Sequence, residues 1–384
     1  MTALGNRYDR PVLDLAEIRR LFPDLDGTTY LNTANMCVGC APATEAYQGA
    51  LTRWGRGRFD WTEAERAGEE ARASFAAIVG AEAEDVALLP AVSAAAGLVA
   101  ANLSPAGPGA NVVVAGHEFS SNYFPWLLLR ERGYEVRTLA TSGEGPGAEA
   151  FAAAVDGATR LLAVSAVQSS TGYRADLAAL REIADRSGAW LFVDACQAAG
   201  AVPLDVVRDG VDFLASAAHK FLLGSRGMGY LYVRRPLREG LRPVFPGWKA
   251  ARRPTESFYG PSMDLSPTAS KLDGSLPWFA ALADRAALGV FAQLGLGAVL
   301  ERNARLSRRL HEGVAARWPG VARTPERHRS TILAVPVADP EVAMARLREA
   351  AVVASMRAGA IRLSVHFYNR EEDVDRALDV LAEV

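Results

Sequence analysis

Short apolar runs recur along the chain between residues 86 and 233, and amphipathic segments accompany them. Because these runs are short and apolar on both faces, we predict that they are buried strands. The predicted strands are VALL (86–89), NVVVA (111–115), LLAVSA (161–166), WLFVDA (190–195), FLAS (213–216) and MGYLYV (228–233). Predicted helices cover 63–79, 93–103, 121–132 and 176–188. Strands that alternate with helices over such a length indicate parallel βαβ units.

The pattern changes after residue 235. Residues 236–278 are rich in Pro, Gly and Trp, which indicates extended loop, and residues 280–318 form a long predicted helical region. The C-terminal part alternates a strand at 332–337, a helix near 341–350, a strand at 361–365 and a helix at 371–383. We therefore predict a large α/β domain with a mostly parallel central sheet and a smaller α+β C-terminal domain.

Composition restricts the class of protein. A chain of 384 residues suits one large and one smaller domain, and a formal net charge of −2 attracts neither nucleic acid nor an acidic membrane surface. The three cysteines are too few for a disulfide framework and indicate a reducing compartment. The first 20 residues hold too many charges for an apolar signal core, and no apolar stretch reaches the length of a membrane span. We expect a cytoplasmic protein.

One lysine is the strongest candidate for chemistry. In FLASAAHKFLLGSRGMGYLYV (213–233), Lys220 follows a predicted strand among small residues and precedes a glycine-rich turn. A lysine in such a junction can be desolvated and act as an amine nucleophile on an aldehyde. Taken alone, the pattern fits a lysine on a surface loop equally well.

One aspartate adds a second signal. Asp194 ends the apolar strand WLFVDA, 26 residues before Lys220, where a carboxylate needs a cation or a hydrogen-bond donor. The protonated ring nitrogen of a pyridine-type cofactor is such a partner. Gln197, three residues later, could hydrogen-bond a phenolic oxygen on the same cofactor ring. The alternative is an aspartate that caps the following helix. Two consecutive strands would bring Asp194 and Lys220 to one edge of the sheet, where α/β proteins place their sites.

These motifs together resemble the class V aminotransferases, a family of fold-type I pyridoxal-phosphate (PLP) enzymes that includes cysteine desulfurases, selenocysteine lyases, kynureninases and isopenicillin N epimerase. The resemblance extends from about residue 28 to the C-terminus. The segments that carry it are YLNTAN (30–35), HEFSSNYFPW (117–126), SAVQSSTGYRADL (165–177), LFVDACQAAGAVPLDV (191–206), DFLASAAHKFLLGSRGMGYLYV (212–233), DGSLPW (273–278) and IRLSVHFYNREEDVDRAL (361–378). It implies an N-terminal arm (1–30) that contributes to the small domain, a large PLP-binding domain (31–270) and a C-terminal small domain (271–384).

The resemblance also implies how the cofactor is held. Lys220 is the expected catalytic residue, which carries PLP as a Schiff base, and Phe119 is expected to stack on the ring. Ser93 and Ala94, at the start of a helix, and His219 are expected to bind the phosphate. The family often has a serine three residues before the lysine, but here that residue is Ala217, so Ser216 is the substitute that we consider. The expected cofactor-binding set is Ser93, Ala94, Phe119, Asp194, Gln197, Ser216, His219, Lys220 and Ser275.

The substrate side is inferred in the same way. Arg362 matches a family arginine that binds the substrate carboxylate through a bidentate fork, although an exposed strand arginine would leave the same pattern. Asn32 and Ser169 are expected near the substrate, and Ser169 stands where desulfurases have an asparagine. Ser275 matches a residue that reaches the phosphate of the partner subunit, which implies a homodimer with shared sites.

The cysteines give little evidence for a function. Cys37-Val-Gly-Cys40 lacks a second ligand pair, so we expect no metal site, and Cys196 is expected to be a small buried side chain. The segment before Arg362 (341–361) holds no cysteine and leaves no room for a long loop, so we expect no persulfide-forming desulfurase.

The expected substrate is an α-amino acid, and an aminotransferase is the preferred reaction. The alternatives are a C–S or Cα–Cβ lyase and an amino-acid epimerase, and a non-catalytic PLP-fold binding protein is more remote. Fold-level analogy does not separate these reactions.

Overall fold

The computed structural model describes residues 13–25, 27–140, 145, 147–321 and 324–384. Residues 1–12, the beginning of the expected N-terminal arm, lie outside the described residues. The strands are β1 (Thr29–Tyr30), β2 (Val86–Leu89), β3 (Asn111–Ala115), β4 (Glu135–Leu139), β5 (Thr159–Ser165), β6 (Trp190–Asp194), β7 (Phe213–Ala217), β8 (Gly229–Val233), β9 (Ile332–Val335), β10 (Val352–Val353), β11 (Ser355–Arg357) and β12 (Ala360–Ser364). The helices are α1 (Leu15–Leu21), α2 (Ala41–Gly55), α3 (Trp61–Val79), α4 (Val92–Asn102), α5 (Phe124–Leu127), α6 (Ala148–Ala154), α7 (Leu177–Ser187), α8 (Arg235–Arg238), α9 (Trp278–Leu294), α10 (Leu296–Arg317), α11 (Pro340–Glu349) and α12 (Glu371–Ala382).

A seven-stranded sheet organises the larger part of the molecule. Its order is β2-β8-β7-β6-β5-β3-β4, and β8 is antiparallel to both of its neighbours while the other pairs are parallel. Strands β2, β3, β7 and β8 are buried along their whole length, as the apolar runs predict. The predicted α/β class with a mostly parallel central sheet is confirmed, and this is the architecture of fold-type I PLP enzymes.

Helices cover both faces of the sheet. The predicted helices over 63–79 and 176–188 correspond to α3 and α7, which begin at the capping side chains of Asp60 and Asp176 and end at left-handed Gly80 and Gly188. The helix predicted over 121–132 is mostly short 3₁₀ turns around the four-residue α5. Pro125 lies inside this segment and removes a backbone donor, which limits a continuous helix.

The C-terminal part has its own sheet and core. Strands β11, β12 and β9 form an antiparallel sheet, and α10 and α12 enclose a separate hydrophobic cluster with it. The chain between 29 and 32 joins this part, because β1 pairs with β10 and Asn32 bridges to Ser364. In contrast, Ile18, Phe22 and the buried face of α9 belong to the large cluster. The domain boundaries at 30 and 270 stay a prediction.

The long helical region contains a break. Gly295 separates α9 from α10, and the two helices are bent by 85°. Among the described residues, no single helix is long and apolar enough to cross a membrane, and α9 and α10 reach such a length only as a bent pair.

Candidate active site

A cavity of about 230 Å³ lies at the carboxyl ends of the parallel strands. Residues 90–92 follow β2, 119–121 follow β3, 165–169 end and follow β5, 194–197 end and follow β6, and 217–220 end and follow β7. The antiparallel β8 begins at the same edge, so the turn before it adds Arg226 and Gly227. Two arginines from the C-terminal sheet, Arg357 and Arg362, close the opposite side with Ala34 and Asn35.

Lys220, Asp194 and Phe119 share this cavity, as the sequence analysis predicts. The Lys220 Nζ atom lies 5.4 Å from the centre of the Phe119 ring, which is 53% exposed. Asp194 is buried, and its Oδ1 atom accepts a 2.8 Å hydrogen bond from the Cys196 backbone N–H. Burial raises the pKa of the Asp194 carboxyl, and the positive charge of Lys220 opposes that rise. A flat cleft with an amine and a carboxylate at its walls results.

A second group of side chains at the cavity connects the residues that follow β5 and β6 with the C-terminal sheet. Gln197 Nε2 donates to Ser169 Oγ (3.1 Å) and to the Ala34 carbonyl (3.0 Å). Arg362 donates to the carbonyl and hydroxyl of Ser169 at 2.7 and 3.1 Å, and to Ser355 Oγ at 3.2 Å. Burial, together with the charge of Arg357, lowers the pKa of Arg362 to about 10. Arg362 is therefore a fixed, desolvated cation whose position depends on Ser169.

His219 and Arg226 both line the cavity, as do residues 90–92 at the start of helix α4. Burial, together with the charges of Lys220 and Arg226, lowers the pKa of His219 to about 4. The imidazole is therefore neutral at pH 7, and one of its ring nitrogens is a donor. The cavity thus combines a neutral and a charged donor with the residues that begin a helix.

Five predicted site residues do not line the cavity: Asn32, Ser93, Ala94, Ser216 and Ser275. Ser93 is exposed while its neighbour Val92 lines the cavity, and the Ala94 N–H donates to the Ala91 carbonyl. Ser216 is buried in β7 one residue from Ala217, and alternation along the strand turns it to the opposite face of the sheet. Ser275 is exposed, and Asn32 is buried beside Ser364. The roles of these five residues stay predictions.

Four residues at or beside the site were missed from the sequence: Asn35, Glu118, Arg226 and Arg357. Glu118 accepts hydrogen bonds from the Ser165 amide and from Gln168 Nε2, both at 2.8 Å, and so ties the end of β3 to the end of β5. Desolvation, with a smaller contribution from the charge of Asp194, raises the pKa of its carboxyl to about 7 against the lowering effect of these hydrogen bonds. The sequence signal that could have identified Glu118 is a carboxylate at or shortly after the end of a buried strand. The same signal identified Asp194.

The three cysteines hold no ionised thiol near the cavity. Burial raises the pKa of Cys37 and Cys196 to about 12, and it also raises that of Cys40. Cys37 Sγ donates to the Gly224 carbonyl, and Cys196 Sγ accepts from the Ala217 amide, so both thiols are fixed within the protein. All three are free and buried, and no group of metal-ligating side chains exists among the described residues.

The unpaired polar atoms around the cavity fit PLP. Gln197 Oε1, His219 Nδ1 and one terminal nitrogen of Arg362 are buried and find no hydrogen-bond partner in the described part of the chain. A buried donor or acceptor without a partner is unfavourable, so these atoms favour a polar ligand. The cavity provides a partner for each part of PLP. The Lys220 amine suits the aldehyde, Phe119 and Asp194 suit the ring, and the donors His219 and Arg226 suit the phosphate.

Comparison with known proteins agrees with this chemistry. The family model described as Aminotransferase class-V matches residues 42–377. An uncharacterized aminotransferase, YcbU, of Bacillus subtilis (strain 168) is 29% identical over 367 residues, which cover 95% of this chain and 97% of that protein. The isopenicillin N epimerase of Streptomyces clavuligerus is 30% identical over 336 residues, which cover 81% of this chain and 83% of that protein.

Solved structures share the fold. A C-DES mutant with glycine covalently linked to its PLP cofactor has a TM-score of 0.84 at 20% identity, covering 95% of this chain and 99% of that chain. The apo cysteine desulfurase of Thermococcus onnurineus NA1 has a TM-score of 0.83 at 22% identity, covering 98% of both chains. At these identities the likeness shows the fold alone.

Proposed function

This chain belongs to the class V aminotransferase family of PLP enzymes, and on that premise we propose that it is an aminotransferase that acts on an α-amino acid at Lys220. The observation that carries the proposal is the shared cavity of Lys220, Asp194 and Phe119, with the Lys220 amine 5.4 Å from the aromatic ring. When bound, PLP supplies an aldehyde for the lysine amine and an electron sink for charge that develops at the substrate α-carbon.

Each wall of the cavity has a role in this proposal. Asp194 holds the ring nitrogen in its protonated form, because a buried carboxylate favours a neighbouring cation. Phe119 would cover one face of the ring, and the unpaired Oε1 of Gln197 would accept a hydrogen bond from the phenolic O–H. His219 and Arg226 hold the phosphate beside the start of α4.

In this proposal Arg362 binds the substrate and Lys220 transfers the proton. Arg362 binds the α-carboxylate through its unpaired terminal nitrogen, with Ser169 and Ser355 fixing the guanidinium plane. The amine of Lys220 lies in the same cavity, 5.4 Å from the centre of the Phe119 ring, and would accept the α-proton as a general base.

The buried thiols argue against a persulfide-forming desulfurase. That reaction needs a thiolate that reaches the substrate sulfur, but the thiols of Cys37 and Cys196 have pKa values of about 12 and hydrogen bonds within the protein. The segment before Arg362 forms the short hairpin of β11 and β12 rather than a long loop. Probable cysteine desulfurases do occur among the relatives, for example in Methanothermobacter thermautotrophicus at 28% identity. The proposal separates this chain from them.

Product analysis tests the reaction. The PLP-loaded protein is incubated with a panel of L-amino acids, with and without an added 2-oxo acid, and its spectrum and products are followed. We expect conversion to the pyridoxamine form and a 2-oxo acid product. Pyruvate with ammonia or sulfide would show a lyase, and inverted configuration at the α-carbon would show an epimerase. Either result, without the pyridoxamine form, would contradict the aminotransferase proposal.

We further propose a homodimer. A continuous aromatic band, in which each ring contacts the next, runs over the surface beside Ser275 and comprises Trp54, Phe279, Phe59, Trp278, Trp61, Trp248 and Phe258. Trp54 is 63% exposed and Phe258 is 46% exposed. The five rings between them are partly buried, and aromatic residues at a surface are enriched at the cores of protein interfaces. The exposed Ser275 is then available to the site of the partner subunit.

A further inference from the structure

Three arginines line the cavity, and none has an acidic partner among the described residues. Arg226, Arg357 and Arg362 all line it, from the turn before β8, the end of β11 and the middle of β12. Within the described part of the chain, no carboxylate forms an ion pair with any of them. Elsewhere arginines are commonly paired, as Arg309 is with Asp375 and Arg346 with Glu349.

The proposed function accounts for two of these cations. Arg226 lines the cavity with His219, and the proposed function assigns both to the phosphate. Arg362 is buried and fixed by Ser169 and Ser355, as a site for one α-carboxylate requires. Arg357 therefore remains without a counter-charge from either the cofactor or the amino-acid backbone.

Arg357 lies on the substrate side of the cavity, beside Arg362. Both residues belong to one hairpin, in which Ser355 pairs with Arg362 and Arg357 pairs with Ala360. The charge of Arg357 also lowers the pKa of Arg362, which shows that the two guanidinium groups repel each other. Arg362 is buried whereas Arg357 is exposed. An anion that binds between or beside two like charges offsets their repulsion.

The guanidinium of Arg357 is oriented rather than free. Its Nη2 donates to Asn35 Oδ1 at 3.2 Å, and its Nη1 donates to the Met356 carbonyl at 2.8 Å. Asn35 also lines the cavity, so its amide nitrogen can donate to the same anion. A guanidinium with an adjacent amide donor suits a carboxylate, which accepts two or more hydrogen bonds.

We propose that the substrate carries a second carboxylate in its side chain, which Arg357 binds with the help of Asn35 while Arg362 binds the α-carboxylate. The substrate class is therefore an acidic amino acid, or a larger amino acid that ends in a carboxylate. This assignment rests on the proposed function, because it takes the α-carboxylate to be bound at Arg362.

The test uses the full-length, PLP-loaded protein and the variant Arg357→Gln. The kinetic probes are the matched pairs glutamate with glutamine, aspartate with asparagine, and 2-aminoadipate with 2-aminohexanoate. The binding probes are glutarate and adipate, each compared with the monocarboxylate butyrate, with dissociation constants measured by calorimetry. Arg346→Gln is the control, because Arg346 is an exposed arginine of the same domain that lies outside the cavity.

In the wild type we expect kcat/KM for the acidic member of at least one pair to exceed that of its neutral partner by about ten-fold to a hundred-fold, the range for one charge-assisted hydrogen-bonded contact. Arg357→Gln should bring that ratio close to one and weaken glutarate or adipate without weakening butyrate. Arg346→Gln should change neither quantity.

The two proposals fail in different ways. Turnover of amino acids with no acidic preference in any pair, and dicarboxylates that bind no tighter than butyrate, would overturn the role of Arg357 and leave the proposed function intact. Dicarboxylate binding that depends on Arg357, in a protein that turns over no amino acid, would support the anion site and contradict the proposed function.

Discussion

Lys220 lies where a strand of small buried residues ends and its amine faces an aromatic ring across the cavity. Lys220→Ala should leave the protein folded, because the residue is only partly buried and makes no ion pair in the described part of the chain. The variant should lose the visible absorption of bound PLP and essentially all turnover. Borohydride reduction of the wild type followed by peptide mapping checks the assignment. A label on any other lysine, for example Lys249, would contradict it.

Removing the Asp194 carboxylate should reduce turnover much more than it reduces PLP binding, unlike removal of Lys220. Asp194→Ala removes the carboxylate that keeps the ring nitrogen protonated, so turnover should fall by on the order of a hundred-fold or more, while PLP still binds through Lys220. Absorbance titration measures cofactor binding separately from activity. Asp212→Ala is unsuitable as a control because Asp212 is fully buried between Arg181 and Arg234, whereas Asp375→Ala removes a partly exposed carboxylate that pairs with Arg309 and does not line the cavity. Near-normal turnover of Asp194→Ala would contradict its role.

At the scale of elements, helix ends follow local chemistry closely. Gly80 ends α3 with a φ of +78°, and a Cβ atom there would come within 2.9 Å of Asp205. Gly80→Ala should therefore lower the free energy of unfolding by about 1–2 kcal/mol. Gly289→Ala, on an exposed position of α9 with nothing within 4 Å, should raise it by up to about 1 kcal/mol. Chemical denaturation of both variants checks the pair, and equal effects would show that the left-handed cap does not matter.

The elements that could be predicted from the sequence are those whose signal is local. Buried strands such as β2 and β3 are continuous apolar runs, and their predicted bounds match the structure. Strand β4 (EVRTL) was missed because it lies at the edge of the sheet, where only Val136 and Leu139 are buried and Glu135 is exposed to solvent. The antiparallel direction of β8 was also missed, since an apolar run carries no sign of strand direction.

At the scale of the whole molecule, the aromatic band predicts assembly. We expect sedimentation analysis to show a dimer at working concentrations, because an exposed band that includes Trp54 and Phe258 is stabilised by burial against a second copy. Trp54→Glu should shift the protein towards monomer, whereas Trp318→Glu, in the separate C-terminal cluster, serves as a control for general destabilisation. A fully active wild-type monomer would contradict both the dimer and the shared role of Ser275.

The sequence by itself determined the fold class, the family and the residues whose chemistry is marked by position at a strand end, namely Lys220, Asp194, Gln197 and His219. Short-range patterns suffice for these because strand burial and the residues that follow a strand are encoded within a few positions. Only the tertiary structure decided which other side chains reach the cavity. Arg226 and Arg357 lie in turns of ordinary composition, and Ser216 faces away from the cavity by the alternation of β7. Arg357 contacts Asn35 and Arg362 contacts Ser169, and each pair is separated by more than one hundred positions in the sequence. Such contacts form only when distant parts of the chain pack together.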